Sequence, residues 1–220
     1  MRENSATRIK GILMSSLFAA ADHLERIPMI DAEVYYLDDL ALGRERDEIL
    51  QQLIANTEWR QDSIVVWGKM YQQPRLLAWY GDSGSEYTYS GITLSPMPWT
   101  ELLLDMKKRV ESVTRESFNS VLLNYYRDNR DSMGFHSDDE PELGEEPVIA
   151  SVSLGEERTL VLKHKIDKLA KPVRLRLASG SLLLMKGDTQ RCWKHGIAKE
   201  TRRCGARVNL TFRHIAAHGG

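Results

Sequence analysis

Asn124-Tyr-Tyr-Arg-Asp-Asn-Arg-Asp-Ser-Met-Gly-Phe-His136-Ser-Asp138-Asp-Glu140 is the stretch around which the rest of the chain is organised. His136 and Asp138 are two apart. On an extended strand that spacing sends both side chains to one face, where an imidazole nitrogen and a carboxylate oxygen can reach the same cation. Two ligands do not hold a catalytic transition metal, and a candidate third, His195, follows about sixty residues later.

Two histidines and one carboxylate on one side of an octahedral ion leave three positions open, the arrangement of non-haem Fe(II) oxygenases. A bidentate 2-oxo acid can fill two of them and O₂ the third. The far carboxylate of such a co-substrate needs a cation, and the C-terminal run Arg207-Val-Asn-Leu-Thr-Phe-Arg213 offers two. Its period is two: Arg207, Asn209, Thr211 and Arg213 point one way, Val208, Leu210 and Phe212 the other. One face binds and one packs. Taken alone, the same run reads equally as a charged edge strand in solvent.

Extended around these positions, the pattern becomes specific: Asn124-x-Tyr126, His136-x-Asp138-Asp139-Glu140, Ser151-Val-Ser-Leu-Gly155 with Arg158, Gly180-Ser-Leu-Leu-Leu-Met-Lys-Gly187, Trp193-x-His195 and Arg207-x-Asn209-Leu-Thr-Phe-Arg213. It resembles the AlkB family of Fe(II)/2-oxoglutarate-dependent dioxygenases. Pro74-Arg75 and Tyr87-Thr-Tyr-Ser90 are shared with the DNA-repair branch, so the similarity runs from about Val65 to Arg213. One departure is the run His195-Gly-Ile-Ala-Lys199, where many relatives carry proline soon after the second metal histidine.

The resemblance implies Fe(II) on His136, Asp138 and His195, with 2-oxoglutarate and O₂ as co-substrates. Arg207 and Arg213 would contact 2-oxoglutarate, with hydrogen bonds from Asn124, Tyr126 and Asn209. The implied activity is oxidative demethylation of N-alkylated bases such as 1-methyladenine and 3-methylcytosine in DNA, single- or double-stranded, with formaldehyde released and 2-oxoglutarate converted to succinate and CO₂. An RNA demethylase of the same chemistry, or a module that binds alkylated nucleic acid without turnover, are the alternatives. Both lesions are cationic, so a carboxylate beside the base favours them. Glu140, two beyond Asp138 and on the same face if the strand persists, is the candidate; Asp139 would point away. Arg158 would support Glu140 or a backbone phosphate.

Two further segments bear on the nucleic acid. Ser63-Ile-Val-Val-Trp67, broken by Gly68-Lys69 and resumed at Met70-Tyr71, reads as a hairpin presenting Trp67 and Lys69. Trp67 is either core or, as the resemblance implies, a wedge that fills the gap when a base leaves the stack. Tyr87 and Tyr89 share one face of a strand and are candidates to stack on the base.

The elements predict an α+β protein: N-terminal helices, a nucleotide-recognition hairpin region at about 60–95, and a double-stranded β-helix (jelly-roll) core at 119–214. Residues 42–56 carry Ile49, Leu50, Leu53 and Ile54 on one helical face, and Trp99, Leu102, Leu103, Met106 and Val110 line another helix after Pro96 and Pro98. Short strands are expected at 119–126, 148–154, 158–163, 172–177, 181–186 and 206–214, within one domain spanning 31–214 and followed by a tail at 215–220.

Residues 1–30 read as a helical extension. Arg2, Arg8 and Lys10 before an apolar run to Ala21 imitate a secretory signal, but Ile9, Ile12, Leu13 and Leu17 lie at helical spacing and the helix is preferred. The run is too short to span a bilayer. Two cysteines are too few for a disulfide framework, so a reducing, cytoplasmic setting is expected. A monomer without a membrane partner is expected as well. Net charge is only −1, yet residues 155–213 hold fifteen Lys/Arg against five Asp/Glu. That asymmetry suggests an anionic partner on one side or a solvated basic face.

Overall fold

A computed structural model describes residues 23–216 apart from 67–68 and 90–91; the side chains of 64–66, 69, 87–89 and 92–94 are likewise outside the description. The first half runs β1 (Glu25–Ile27), β2 (Glu33–Leu37), α1 (Arg46–Asn56), β3 (Ser63–Val66), β4 (Lys69–Gln72), β5 (Leu76–Gly81), β6 (Tyr87–Tyr89), β7 (Ile92–Leu94) and α2 (Glu101–Thr114). The second half is β8 (Ser120–Tyr126), β9 (Met133–His136), a 3₁₀ turn (Pro141–Leu143), β10 (Ile149–Gly155), β11 (Arg158–His164), β12 (Val173–Leu177), β13 (Leu182–Lys186), α3 (Thr189–Cys192), β14 (Trp193–Ile197) and β15 (Arg207–Arg213). Every strand run expected in the second half is present within a residue or two of its expected ends.

The strands form a seven-stranded sheet in the order β1-β2-β13-β10-β15-β8-β5 and a four-stranded sheet in the order β12-β11-β14-β9. Two hairpins, β3-β4 and β6-β7, stand outside them. This is the jelly-roll core, and alternation explains its layering. On β15, Val208, Leu210 and Phe212 join Leu123, Val152 and Leu154 in a core completed by Leu50 and Leu53 of α1 and Leu103, Met106 and Val110 of α2. The opposite face meets the second core, where Leu122, Ile149, Leu183 and Met185 pack on Leu160, Leu162, Trp193 and Ile197. Each fully buried Leu, Ile or Phe in these layers contributes about 1.5–3 kcal/mol of transfer free energy.

The helices follow their sequence signals. Thr100 caps α2 by accepting from Leu103 N at 3.3 Å, and the apolar stripe Leu102, Leu103, Met106 and Val110 is buried. In α1, Ile49, Leu50 and Leu53 are buried as their spacing requires.

One expectation is corrected and one alternative is set aside. The N-terminal region was expected to be helical, but among its described residues Glu25–Ile27 is a strand, paired with β2, which in turn pairs with β13 and extends the larger sheet. Val34 and Leu37 are three apart and enter different core layers, so they leave no period of two by which the sequence could announce a strand; the partner strand supplies the order. The proposed helix at 9–17 lies outside the described residues. For β15 the edge-strand alternative is excluded. The strand lies between β10 and β8, and all seven of its residues are buried, Arg207 and Arg213 included.

Candidate metal and oxo-acid site

β9 and β14 are antiparallel neighbours, and their register sets His136 directly opposite His195. Asp138 lies beside both rings: its Oδ1 is 3.8 Å from His136 Nε2 and its Oδ2 is 3.8 Å from His195 Nε2. The three ligand atoms fall within 4.8 Å of one another, and Asp138 and His195 are buried. His136 Nδ1 lies 2.9 Å from Gly134 O. A carbonyl can only accept, so the ring proton sits on Nδ1 and the Nε2 lone pair faces the other two ligands.

Electrostatics keep both ligands in the binding form. Burial would raise the Asp138 carboxyl, but the Arg213 guanidinium, then His195 and His136, more than reverse this and hold it below the ordinary carboxylate range. Arg213 Nη2 donates to Asp138 Oδ1 at 2.7 Å. Burial first, then the neighbouring His136, pushes His195 down to about 3, so its imidazole is neutral at any physiological pH.

Strand alternation does not explain Asp138. β9 ends at His136, and Asp138 lies beyond it, held by a bond from its own backbone N–H to Gln190 Oε1 at 3.0 Å and by Arg213. Gln190, on the short α3, is buried and went unnoticed in the sequence, since nothing local links it to position 138. The same-face argument for Glu140 fails for the same reason. This residue lies past the end of the strand, half-buried at the start of the 3₁₀ turn, so the two-residue spacing to Asp138 carries no facing relation. Asp139 is exposed and pairs with Lys165 at 2.8 Å.

The cavity beside the triad is lined by Asn124, Tyr126, Ser151, Arg207 and Asn209 among others. Arg207 is 1% exposed, donates from Nη2 to Ser153 Oγ at 3.0 Å, and lies with Cζ 5.0 Å from the Tyr126 ring. Its Nε and Nη1 are buried without a hydrogen-bond partner. Burial pulls its pKa down, and of its charged neighbours Arg158 adds to the lowering. A buried cation with two unused donors beside a metal triad fits the distal carboxylate of a bound oxo acid, which would supply the missing acceptors.

Asn124 accepts from Arg75 Nε at 2.7 Å, which fixes its amide and leaves the NH₂ end for a ligand. Arg75, noted only as part of the family pattern, is thus a buried part of the site. Asn209 lines the cavity, but its amide nitrogen is committed to Ser151 Oγ at 2.7 Å and Val152 O at 3.0 Å, so it braces the wall instead of donating to a ligand.

Arg158 is corrected as well. It is 1% exposed, and its guanidinium donates to backbone carbonyls of Asp131 and Ala198, so neither Glu140 nor a phosphate is its partner. Trp67 lies outside the described residues. The hairpin carrying it is present, with Val66 opposite Lys69. Tyr87 and Tyr89 belong to β6, paired with β7, but their side chains and that of Lys69 are outside the description.

A second grouping, Asp31, His164 and Cys192, also brings possible ligand atoms within 4.8 Å. There Ile166 N and Asp167 N donate to His164 Nδ1 at 3.3 and 2.8 Å, which places the ring proton on Nε2, 3.4 Å from Asp31 Oδ2. That nitrogen carries its proton near a carboxylate without a hydrogen bond to it, the opposite tautomer from His136.

The sequence pattern of the 2OG-Fe(II) oxygenase superfamily matches residues 33–213. The chain is 44% identical over 180 residues to the alpha-ketoglutarate-dependent dioxygenase alkB homolog 3 of Mus musculus, covering 78% of this chain and 62% of that protein. It is 43% identical to the DNA oxidative demethylase ALKBH2 of Homo sapiens, covering 78% of this chain and 69% of that protein. Against the alkB homolog 3 proteins, then, it spans about three fifths of their length, 62% in the mouse case. The solved structure of OsALKBH1 superposes with a TM-score of 0.60 over 87% of this chain and all of that one, at 16% identity, a likeness of fold. With the superfamily pattern spanning both sheets and the relatives matching over most of the chain, this protein belongs to the AlkB family of 2OG-Fe(II) oxygenases.

Proposed function

We propose that this protein removes methyl groups oxidatively from N-alkylated bases in DNA, 1-methyladenine and 3-methylcytosine being the model substrates. One observation carries the reading: three metal-ligating atoms converge beside a buried arginine whose donors await an anion. The names of the relatives supply the substrate class, since one is a DNA oxidative demethylase. Fe(II) held by His136, Asp138 and His195 would supply, with 2-oxoglutarate and O₂, hydroxylation of the N-methyl carbon, the oxo acid ending as succinate and CO₂ and the methyl carbon as formaldehyde.

The chain's own residues prepare for this. Gly134 O fixes the His136 tautomer, burial keeps His195 neutral, and Arg213 keeps Asp138 ionised and oriented. Arg207 takes the distal carboxylate where low polarity strengthens the pairing. Leu160, Leu177, Leu183, Met185 and Ile197 of the second core supply the apolar part of the cavity wall. Glu140 remains our candidate for the carboxylate that favours a cationic lesion, through its charge, and Trp67 for the wedge at the lesion. We place the activity in the cytoplasm, in a monomer; no described helix is long and apolar enough to cross a membrane.

The test is an aerobic assay with Fe(II), 2-oxoglutarate and ascorbate on methylated DNA and RNA oligonucleotides. Formaldehyde and restored base are expected on DNA, and lost in His136→Ala. Restoration on RNA alone would move the substrate to RNA. Tight binding with neither product would leave a binding module. Trp67→Ala should impair duplex substrate more than single strands; equal loss on both would remove Trp67 from the wedge role.

A further inference from the structure

Arg158 opens β11 and is 1% exposed although it carries a full charge. Its Nη2 donates to Asp131 O at 3.0 Å and to Ala198 O, Nη1 reaches Asp128 O at 3.5 Å, and Nε faces Glu200 Oε1 at 3.7 Å. These acceptors lie on two connections. Asp128 and Asp131 belong to the segment that enters β9, the strand ending on His136. Ala198 directly follows β14, three residues beyond His195.

The backbone ladder between β9 and β14 is short. Its register gives His195 opposite His136 and Ile197 opposite Met133, with an irregularity between the two pairs. There the strands are pressed close: a Cβ on Gly196 would lie 3.0 Å from Met133 O and 3.2 Å from Gly134 O. The His136–His195 rung is therefore the last regular one, and beyond it the ladder does not hold the two strands in step. Just beyond the irregular step, one guanidinium gathers carbonyls from both sides.

We propose that Arg158 is a positioning residue for the metal site: by bonding the segment before β9 to the segment after β14, it holds these strands together past their irregular step and so steadies the His136–His195 rung that the register makes. The inference rests on reading the triad as a metal site. Arginine suits the role because its planar fork presents five donors in fixed directions and stays charged when buried. A lysine ammonium is a point charge with three donors and cannot span the same carbonyls with the same geometry. The Tyr126 ring, 5.7 Å from Arg158 Cζ and 5.0 Å from Arg207 Cζ, ties the same strut to the oxo-acid wall.

The test measures Co(II) affinity of the whole purified chain by the cobalt absorption bands, in Arg158→Gln, Arg158→Lys and a comparator, Leu103→Ala. Leu103 is buried on α2 in the other core layer, so its truncation lowers the melting temperature without touching these strands. At a temperature where all are folded, Arg158→Gln should lose about ten-fold in Co(II) affinity, as removal of groups that orient ligands commonly does, with Arg158→Lys between it and the parent. Leu103→Ala should bind as the parent does. Parental affinity in folded Arg158→Gln overturns the proposal, as does an equal loss in Leu103→Ala. Should Arg158→Gln not fold, Arg158→Lys decides by the same criterion. His136→Ala reports on the underlying reading separately: if it binds Co(II) like the parent, the triad is not the metal site.

Discussion

At Arg207 the chemistry of the site reduces to one guanidinium with two donors unused in the dark of the core. A hydrogen bond to a charged group contributes about 1.5–3 kcal/mol, so Arg207→Gln should raise the KM for 2-oxoglutarate roughly ten- to hundred-fold while leaving the affinity for Co(II) near the parent value. Steady-state kinetics against oxo-acid concentration checks this; an unchanged KM would assign the distal carboxylate elsewhere. His195 makes a second prediction. Folded, it titrates at about 3; unfolded, near the ordinary histidine value of about 6.5. Between these values the unfolded chain binds the extra proton, so the metal-free protein loses stability as pH falls from about 6.5 toward 3. Asp138, held below the carboxylate range, acts with the same sign and adds its loss at lower pH still. Melting temperatures of metal-free protein from pH 8 to 5 should therefore decline on the acid side, and His195→Asn should flatten that decline.

Among the elements, the turn from β10 to β11 decides how Arg158 is delivered. Gly155 has φ +88, and a Cβ there would lie 2.3 Å from Ala206 O. Both the backbone conformation and the contact oppose a side chain, so Gly155→Ala, a change that stabilises a compatible glycine site by up to about 1 kcal/mol, should here destabilise by more than that amount. Thr100→Ala, which removes only the α2 cap, should cost about 1 kcal/mol. Denaturant titration of the two variants checks both the magnitudes and their order. β15 was legible in advance because its period of two sorts binding from packing residues. Asp138 was not: the spacing was right, but β9 had already ended, and Gln190 and Arg213 place the carboxylate instead.

Over the whole molecule, the fifteen basic residues of 155–213 are less available than their number suggests. Arg158, Arg207 and Arg213 are interior. Lys165, Arg176, Lys186 and Arg191 pair with Asp139, Glu157, Glu116 and Asp188. If the rest all met phosphates of a single strand, the slope of log affinity against log salt would be about −6, against about −10 for the full set. Binding of a methylated oligonucleotide between 50 and 200 mM salt should give a slope no steeper than about −6.

By itself the sequence determined the strand alternation that builds the two-sheet core, the residue types of the metal triad and their order along the chain, because these rest on local periodicity and on what each side chain can ligate. Only the tertiary structure decided that β15 is central, that the two histidines meet across β9 and β14, and that Arg158 points inward to carbonyls. Those outcomes depend on which strands become neighbours and where a strand stops, and contacts between residues far apart in the chain leave no periodic trace in it.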